Sequence, residues 1–291
     1  MSLLGRKWRR DMARARGQFL AVWAMVVLGV ALLASVYGAY TNLRMSVDGT
    51  YEELNFADFV IAFSPAPQSV ADEVAVLDGV KNAQGRLVLE APLSLGEGKV
   101  PVVGRLISIP EGGPGTVNTL RVVSGRLPTP RAAEVLIEQR FAEHHGIEIG
   151  GALSLVNSTG QWPYEVTGVA VSPEYLWPAR NLRDHMPDVL RRWGVLFLPE
   201  SDLQAFAALP GLANQVAVTI LPDAAEDRVV ADALTLLTPY GVTDVVTRKN
   251  QPSDMVIRLT VDALAQLALI LPLFFLIIVA LSTYVLLSRL V

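Results

Sequence analysis

The sequence predicts an α+β extracytoplasmic domain, two strand–helix–strand units with a β-rich insertion, carried by two transmembrane helices. Three observations predict it. Two long segments contain no charged residue. Lys and Arg crowd ahead of the first, while acidic residues dominate between the two. The chain between them alternates short β-patterned runs with short amphipathic ones. Composition agrees: of 291 residues 52% are hydrophobic, and a mean hydropathy of +0.39 is high for a water-soluble domain. The absence of cysteine removes disulfides, thiolate metal sites and thiol nucleophiles together.

Phe19 to Tyr40 is 22 residues without a charge, and Leu264 to Ser288 is 25. A helix rises 1.5 Å per residue, so about 20 apolar residues cross a hydrocarbon core of about 30 Å. Trp23, Tyr40 and Tyr284 suit the interfaces. The first segment has a basic start and small residues near Tyr37-Gly38-Ala39, as a cleaved signal would, but it is longer than the usual 7–15-residue apolar region and reads as a retained anchor. The second is too long for an ordinary buried core helix. Ala31/Ser35 and Ala34/Gly38 have the small-xxx-small spacing that permits close helix contact.

Orientation follows from Lys and Arg. Residues 1–18 hold Arg6, Lys7, Arg9, Arg10, Arg14 and Arg16 against Asp11, a net of +5, and 289–291 carry only Arg289. Residues 41–263 hold 17 basic and 27 acidic residues, a net of −10. Basic flanks stay inside, so both termini are expected in the cytoplasm and 41–263 outside it. Within 1–18, Leu4, Trp8 and Met12 recur at i, i+4, i+8 between the basic residues. That pattern predicts a cationic amphipathic helix on the inner leaflet, in contact with anionic membrane lipids.

The exported region opens with a strand over Asn55–Phe63, ended by Ser64-Pro65 and Pro67. Ser69 is placed to cap a helix over 70–78, closed by Gly79. Strands near 86–95 and 100–109 follow, joined by a turn at Gly96-Glu97-Gly98, and Pro110 to Gly115 marks a boundary. Residues about 120–177 read as a β-rich insertion: runs at Glu134–Glu138, Leu153–Asn157 and Tyr164–Val171, with one helix around 139–145. Strand–helix alternation then returns, with a strand at Val195–Leu198, a helix to about Leu209, a strand at Asn214–Leu221, a helix through Leu237 and a strand at Val242–Thr247. Past each uncharged segment the helical pattern persists. Tyr40, Leu43, Val47 and Tyr51 keep an apolar stripe after the first, and Ile257, Leu259, Val261 and Leu264 lead into the second.

No catalytic, cofactor-binding or metal-binding residue is assigned, and the chain is expected not to be an enzyme. The nearest approach to a phosphate loop, Gly98-Lys99, has Leu93 where the first Gly belongs and Val100 where Ser or Thr belongs. His144-His145 are adjacent, so on a helix they point about 100° apart and do not face one ion. No Gly-x-Ser-x-Gly elbow presents a serine. Asn157-Ser158-Thr159 fits a glycosylation acceptor, but a turn is the preferred reading. A region of charge −10 lacks the basic footprint of a nucleic-acid binder.

Certain words in this layout resemble a known family. Arg16-Gly17-Gln18-Phe19 leads into the first span. Ser124-Gly125-Arg126-Leu127-Pro128 precedes Glu134-Val135-Leu136-Ile137, then Gly146 and Gly150. Gly168-Val169-Ala170 and Ser172-Pro173-Glu174-Tyr175-Leu176 follow. Together they are similar to the N-terminal part of FtsX-like, MacB-like ABC transporter permeases: first span, periplasmic core domain, second span. Gly151 stands where the family commonly has Asp, and the chain stops at Leu290-Val291 where the family continues, so a truncated permease or a fragment is expected.

The resemblance implies a permease subunit in a bacterial inner membrane. A separate cytoplasmic ATPase would drive the exported domain through the spans, to export or extract lipid, lipoprotein, peptide or drug. It implies a second permease copy or half, and a possible periplasmic adaptor, as partners. The domains expected are a basic segment at 1–18, spans at 19–40 and 264–288, a core domain at 41–263 and a cytoplasmic end at 289–291. A two-span receptor with an extracytoplasmic sensor shares this layout up to the second span. A co-polymerase anchored by two helices would need heptad repeats that the sequence lacks.

Overall fold

The computed structural model describes residues 16–96, 102–180 and 188–288. The amphipathic helix expected within 1–18 lies outside them except at its end, as do most of the Gly96-Glu97-Gly98 turn, Gly98-Lys99 and the segment 289–291. The chain divides into two units: Met1–Asp48 with Arg258–Val291, and Gly49–Ile257.

Helix α1 runs unbroken over Arg16–Glu53, well past the uncharged stretch and along the Tyr40–Tyr51 stripe. In the Gly49–Ile257 unit, four strands form an antiparallel sheet: β1 (Phe59–Pro67), β2 (Val80–Arg86), β10 (Leu212–Ile220) and β11 (Val242–Thr247), in the order β11–β1–β10–β2. Helix α2 (Val70–Ala75) joins β1 to β2, and α6 (Glu226–Leu237) joins β10 to β11. Renumbered among themselves, these strands lie in the order 4-1-3-2 of a split βαβ sheet. The alternating Phe59, Ile61 and Phe63, with Val216 and Val218, face Val70 and Val74 of α2 and Val229, Ala233 and Leu237 of α6. Both helices therefore cover one face.

Between β2 and β10 lies a second, seven-stranded sheet: β3 (Val88–Ser94), β4 (Val102–Ile109), β5 (Arg121–Gly125), β6 (Glu134–Glu138), β7 (Ala152–Asn157), β8 (Gly160–Val171) and β9 (Trp193–Pro199), in the order β5–β8–β6–β9–β4–β3–β7. β7 also pairs with the first half of β8, from Ala152↔Glu165 to Asn157↔Gly160. That pairing closes six strands into a ring, and β5 runs on along the second half of β8. Closure removes sheet edges that would otherwise invite pairing with other chains. Leu93, Leu106, Ile137, Leu155, Val166 and Leu196 are wholly or almost wholly buried in the ring's core. Helix α3 (Gln139–His145) adds Phe141 to it. A Cβ on Gly194 would lie 2.6 Å from the Phe141 ring, so only glycine lets that ring sit against β9. The short helices α4 (Asp188–Arg192) and α5 (Glu200–Ala207) flank β9.

The β-rich insertion is wider than the expected 120–177: the second sheet takes strands from Val88 to Pro199. The strand around Val195–Leu198, expected beside the second strand–helix–strand unit, instead runs parallel to β4 inside the ring. All seven residues of β9 are buried, so its apolar run declares burial without saying in which sheet. β2 (VKNAQGR) has little β propensity and is held by its partner β10, from Ile220↔Val80 to Gln215↔Arg86. β1 does not end at Ser64-Pro65. A register shift between Ala62 and Ala66 carries the proline past the ladder, and pairing resumes at Ala66↔Ala213. Ser69 has helical backbone angles and its side chain makes no cap bond. Its carbonyl accepts from the Asp72 and Glu73 N–H groups instead.

Helix α7 runs over Pro252–Ser288 with Pro272 inside it. α1 and α7 are long and apolar enough to cross a membrane, and almost none of their apolar windows is buried. Leu20 and Trp23 on α1 are 66% and 65% exposed, and Leu269 on α7 is 75% exposed. Each such side chain forgoes about 1.5–3 kcal/mol of burial if it faces water, which a lipid environment supplies. A Cβ on Gly29 would lie 3.4 Å from the Phe275 Cβ, so the two helices touch there. Gly38 of the expected Ala34/Gly38 pair has no such neighbour within 4 Å.

Candidate functional site

The foot of α1 is fastened into the Gly49–Ile257 unit by apolar packing and a clasp of loops. Tyr51 and Phe56 are buried, their ring centroids 4.5 Å apart, and Leu54 and Ala57 are buried beside them. Asn55 and Asn118 both adopt the left-handed conformation that asparagine tolerates. Asn118 Oδ1 accepts from the Ala57 N–H at 2.8 Å, and the Asn118 N–H donates to Asn55 O at 2.9 Å. Arg248 holds the same segment from the other side: it donates to the Phe56 and Ala57 carbonyls, pairs with Asp58 at 2.9 Å, and lies over the Phe56 ring.

The foot of α7 is held at Glu174 and at Trp177. Gln251 Nε2 donates to the Glu174 carbonyl at 2.6 Å, while Gln251 Oε1 accepts from the Asp254 N–H and caps the first turn. Ser253, fully buried, accepts from the Trp177 N–H at 2.9 Å. Ser172 Oγ accepts from the Glu174 N–H, and Pro173 starts the 3₁₀ turn that presents Glu174. The Glu174 carboxylate meets Arg86 of β2 bidentately, Oε2 to Nη1 at 2.5 Å and Oε1 to Nη2 at 2.6 Å, with both side chains under 8% exposed. Arg86 Nε donates to Gln215 Oε1 on β10 at 2.7 Å. Burial works against the Arg86 charge, and Glu174 more than offsets it, leaving the guanidinium firmly protonated. The Ser172–Leu176 word is thus a latch tying the first turn of α7 to the four-stranded sheet.

A cleft of about 300 Å³ opens beside this latch. Val60 and Asp244 line it from one sheet, Arg105 and Trp193 from the other, with Tyr175 and Pro252 between. Glu90 at its wall is engaged by Arg180 at 2.7 Å and by Trp193 Nε1 at 3.3 Å. Arg105 is half-buried, and among the described residues no carboxylate lies within ion-pair distance of it. Its charge is favoured first by the Tyr175 hydroxyl, against the penalty of burial.

The Gly-Arg-x-Pro word closes on its own glutamate. Arg126 Nη1 and Nη2 donate to Glu134 Oε2 and Oε1, each at 2.6 Å, and the Thr129 N–H donates to Glu134 Oε2 at 2.7 Å. Arg126, then Thr129, hold the Glu134 carboxyl down at about 2, below the usual 4.5. A depressed carboxylate contributes stability above its unfolded value and loses it as pH falls. Thermal unfolding of the full chain from pH 4.5 to about 2 is expected to show Glu134→Gln losing less stability across that window than wild type. Equal slopes would show that the clamp contributes nothing.

His144 and His145 both lie on α3. His145 Nε2 donates to Leu190 O at 2.7 Å, and its ring packs on Phe141. Among the described residues no group of three or more potential ligands could hold a metal ion. Asn157 is spent on a turn: its Oδ1 accepts from Thr159 N–H and Oγ1, and its Nδ2 donates to Phe206 O. The functional features that sequence reasoning missed, Arg86, Arg105 and Gln251, are single polar residues with no motif around them.

No family model matches the sequence, and no curated protein matches it. Solved structures similar to it include the periplasmic region of MacB from Actinobacillus actinomycetemcomitans, at TM-score 0.42 and 13% identity over 75% of this chain and 98% of that one. The extracellular domain of the ABC-type transporter YknZ from Gram-positive bacteria gives 0.41 and 16%, over 65% and 100%. A domain of a permease protein from Porphyromonas gingivalis gives 0.42 and 14%, over 70% and 97%. The functional reading below rests on this chain's own residues.

Proposed function

We propose that the chain is the permease subunit of an ABC transporter of the mechanotransmission type. Residues 1–18 and 289–291 lie in the cytoplasm, 19–40 and 264–288 cross the membrane, and 41–263 form the exported core domain. The observation that carries this reading is the continuity of the two apolar helices with the folded turns at their feet. α1 ends at the buried Tyr51–Phe56 cluster and α7 begins at the Gln251–Ser253–Glu174 latch, with no flexible linker in either. A continuous helix carries a displacement along its axis, which a Gly/Ser coil would dissipate. The +5 basic start and the −10 middle support cytoplasmic termini. The energy would come from a separate cytoplasmic ATPase, since the chain has no phosphate loop of its own. Substrates of the lipid, lipoprotein, peptide or drug classes, a second permease copy or half, and a periplasmic adaptor are further parts of the proposal.

Purification of the chain from its native membrane in mild detergent tests it. An ATPase with a phosphate loop is expected to co-purify, and an export-dependent reporter inserted at Gly113 is expected to be active. Recovery with a signalling kinase instead of an ATPase, or micromolar ATP binding by the chain alone, would overturn the reading.

A further inference from the structure

We propose that the cleft beside the latch binds a small soluble anion bearing one carboxylate or phosphate group, with Arg105 as its principal contact. The neighbouring charges are already spoken for. Glu174 is bidentate with Arg86, and Glu90 holds Arg180 and the Trp193 indole N–H. Arg105 alone among the lining cations has no carboxylate within ion-pair distance among the described residues. Its Nε is buried without a hydrogen-bond partner, and leaving a buried donor unmade is costly enough that natural interiors rarely do so. A guanidinium fork matches the two oxygens of a carboxylate or phosphate.

A second donor is at hand. Gln215 also lines the cleft and gives its Oε1 to Arg86, so its amide N–H groups are the ones it has left to donate. Val60, Val246 and Pro252 supply an apolar wall for the body of the molecule. A volume of about 300 Å³ is at the small end of ligand sites, so the occupant is of the size of a short carboxylic acid or a phosphate monoester. The exposed Asp244 on the rim repels anions and disfavours highly charged ones. The inference stands apart from the transporter reading, because every residue that it uses belongs to the Gly49–Ile257 unit.

The test is thermal unfolding of the purified full chain, titrated with inorganic phosphate or with butyrate at ionic strength held constant with chloride. A ligand that binds only the folded state raises Tm saturably. One probe at least is expected to do so, and which one identifies the headgroup chemistry. Arg105→Gln is expected to weaken binding about 10- to 100-fold, the worth of a charged hydrogen-bonded contact. Arg121→Gln, on the exposed pair with Glu53, is expected to leave it unchanged. Asp244→Asn, which removes the repelling charge, is expected to tighten it. The proposal is overturned if neither probe gives a saturable shift in the wild type, or if the shift survives in Arg105→Gln. Should Arg105→Gln fail to fold, Asp244→Asn decides: unchanged affinity there overturns the site.

Discussion

Replacing Glu174 with alanine is expected to destabilise the Gly49–Ile257 unit by about 3–5 kcal/mol, because it strands the buried Arg86 guanidinium without its counter-charge. For a unit of this size that corresponds to a fall in Tm of about 6–20 °C, read by thermal unfolding of the full chain. The size of the effect follows from asymmetry. Forming a buried pair gains little net stability, because desolvation cancels most of the attraction, whereas removing one partner leaves the desolvation of the other unpaid. Among the described residues Arg86 keeps Gln215 Oε1 as its hydrogen-bond partner in that variant. The double replacement Arg86→Met with Glu174→Leu is therefore expected to recover most of the loss. A loss below about 1 kcal/mol in Glu174→Ala would mean that water reaches the site, and the latch would cease to be a structural anchor. The Glu174 carbonyl bond to Gln251 is a backbone contact. It depends on the 3₁₀ turn keeping its place, so the variant is expected to loosen the first turn of α7 as well.

Gly125→Ala is expected to cost about 2–5 kcal/mol, made up of left-handed backbone strain of about 1–2 kcal/mol and an overpacking term of about 1–3 kcal/mol. Gly125 has a φ of +78°, and a Cβ there would stand 2.2 Å from Thr167 O and 2.6 Å from Gly168 Cα. Both neighbours are backbone atoms of β8, which cannot rotate away as a side chain would. β5 must then separate from β8, and Arg126, the next residue, loses its approach to Glu134. Gly113→Ala is the control: its Cβ would meet nothing within 4 Å, so a change within about 0.5 kcal/mol is expected by the same thermal measurement. Comparable losses in the two variants would show that the close approach of β5 to β8 is not what requires glycine.

The sequence by itself determined the features that depend on neighbours along the chain. The two apolar helices follow from uninterrupted runs of uncharged residues, and their continuation past those runs follows from stripes at helical spacing, Tyr40 to Tyr51 and Ile257 to Leu264. β6, α3 and β11 follow from local pattern. What depends on partners distant in the chain was not legible. The Val195–Leu198 run is apolar on both faces, so no periodicity says which sheet receives it, and only parallel pairing with β4 placed it in the ring. β2 is a strand because β10 pairs with it, not because Lys81, Asn82 and Gln84 favour one. The latch and the cleft were the least legible of all. Arg86, Arg105, Glu174, Gln215 and Gln251 lie far apart in sequence, and an arginine in a chain of 24 basic residues does not advertise that it is buried. Tertiary packing decided it: the two sheets and the foot of α7 bury Arg86 and Glu174 and half-bury Arg105, Gln215 and Gln251, and a charge withdrawn from water in this way must find a partner or remain a site that can accept one.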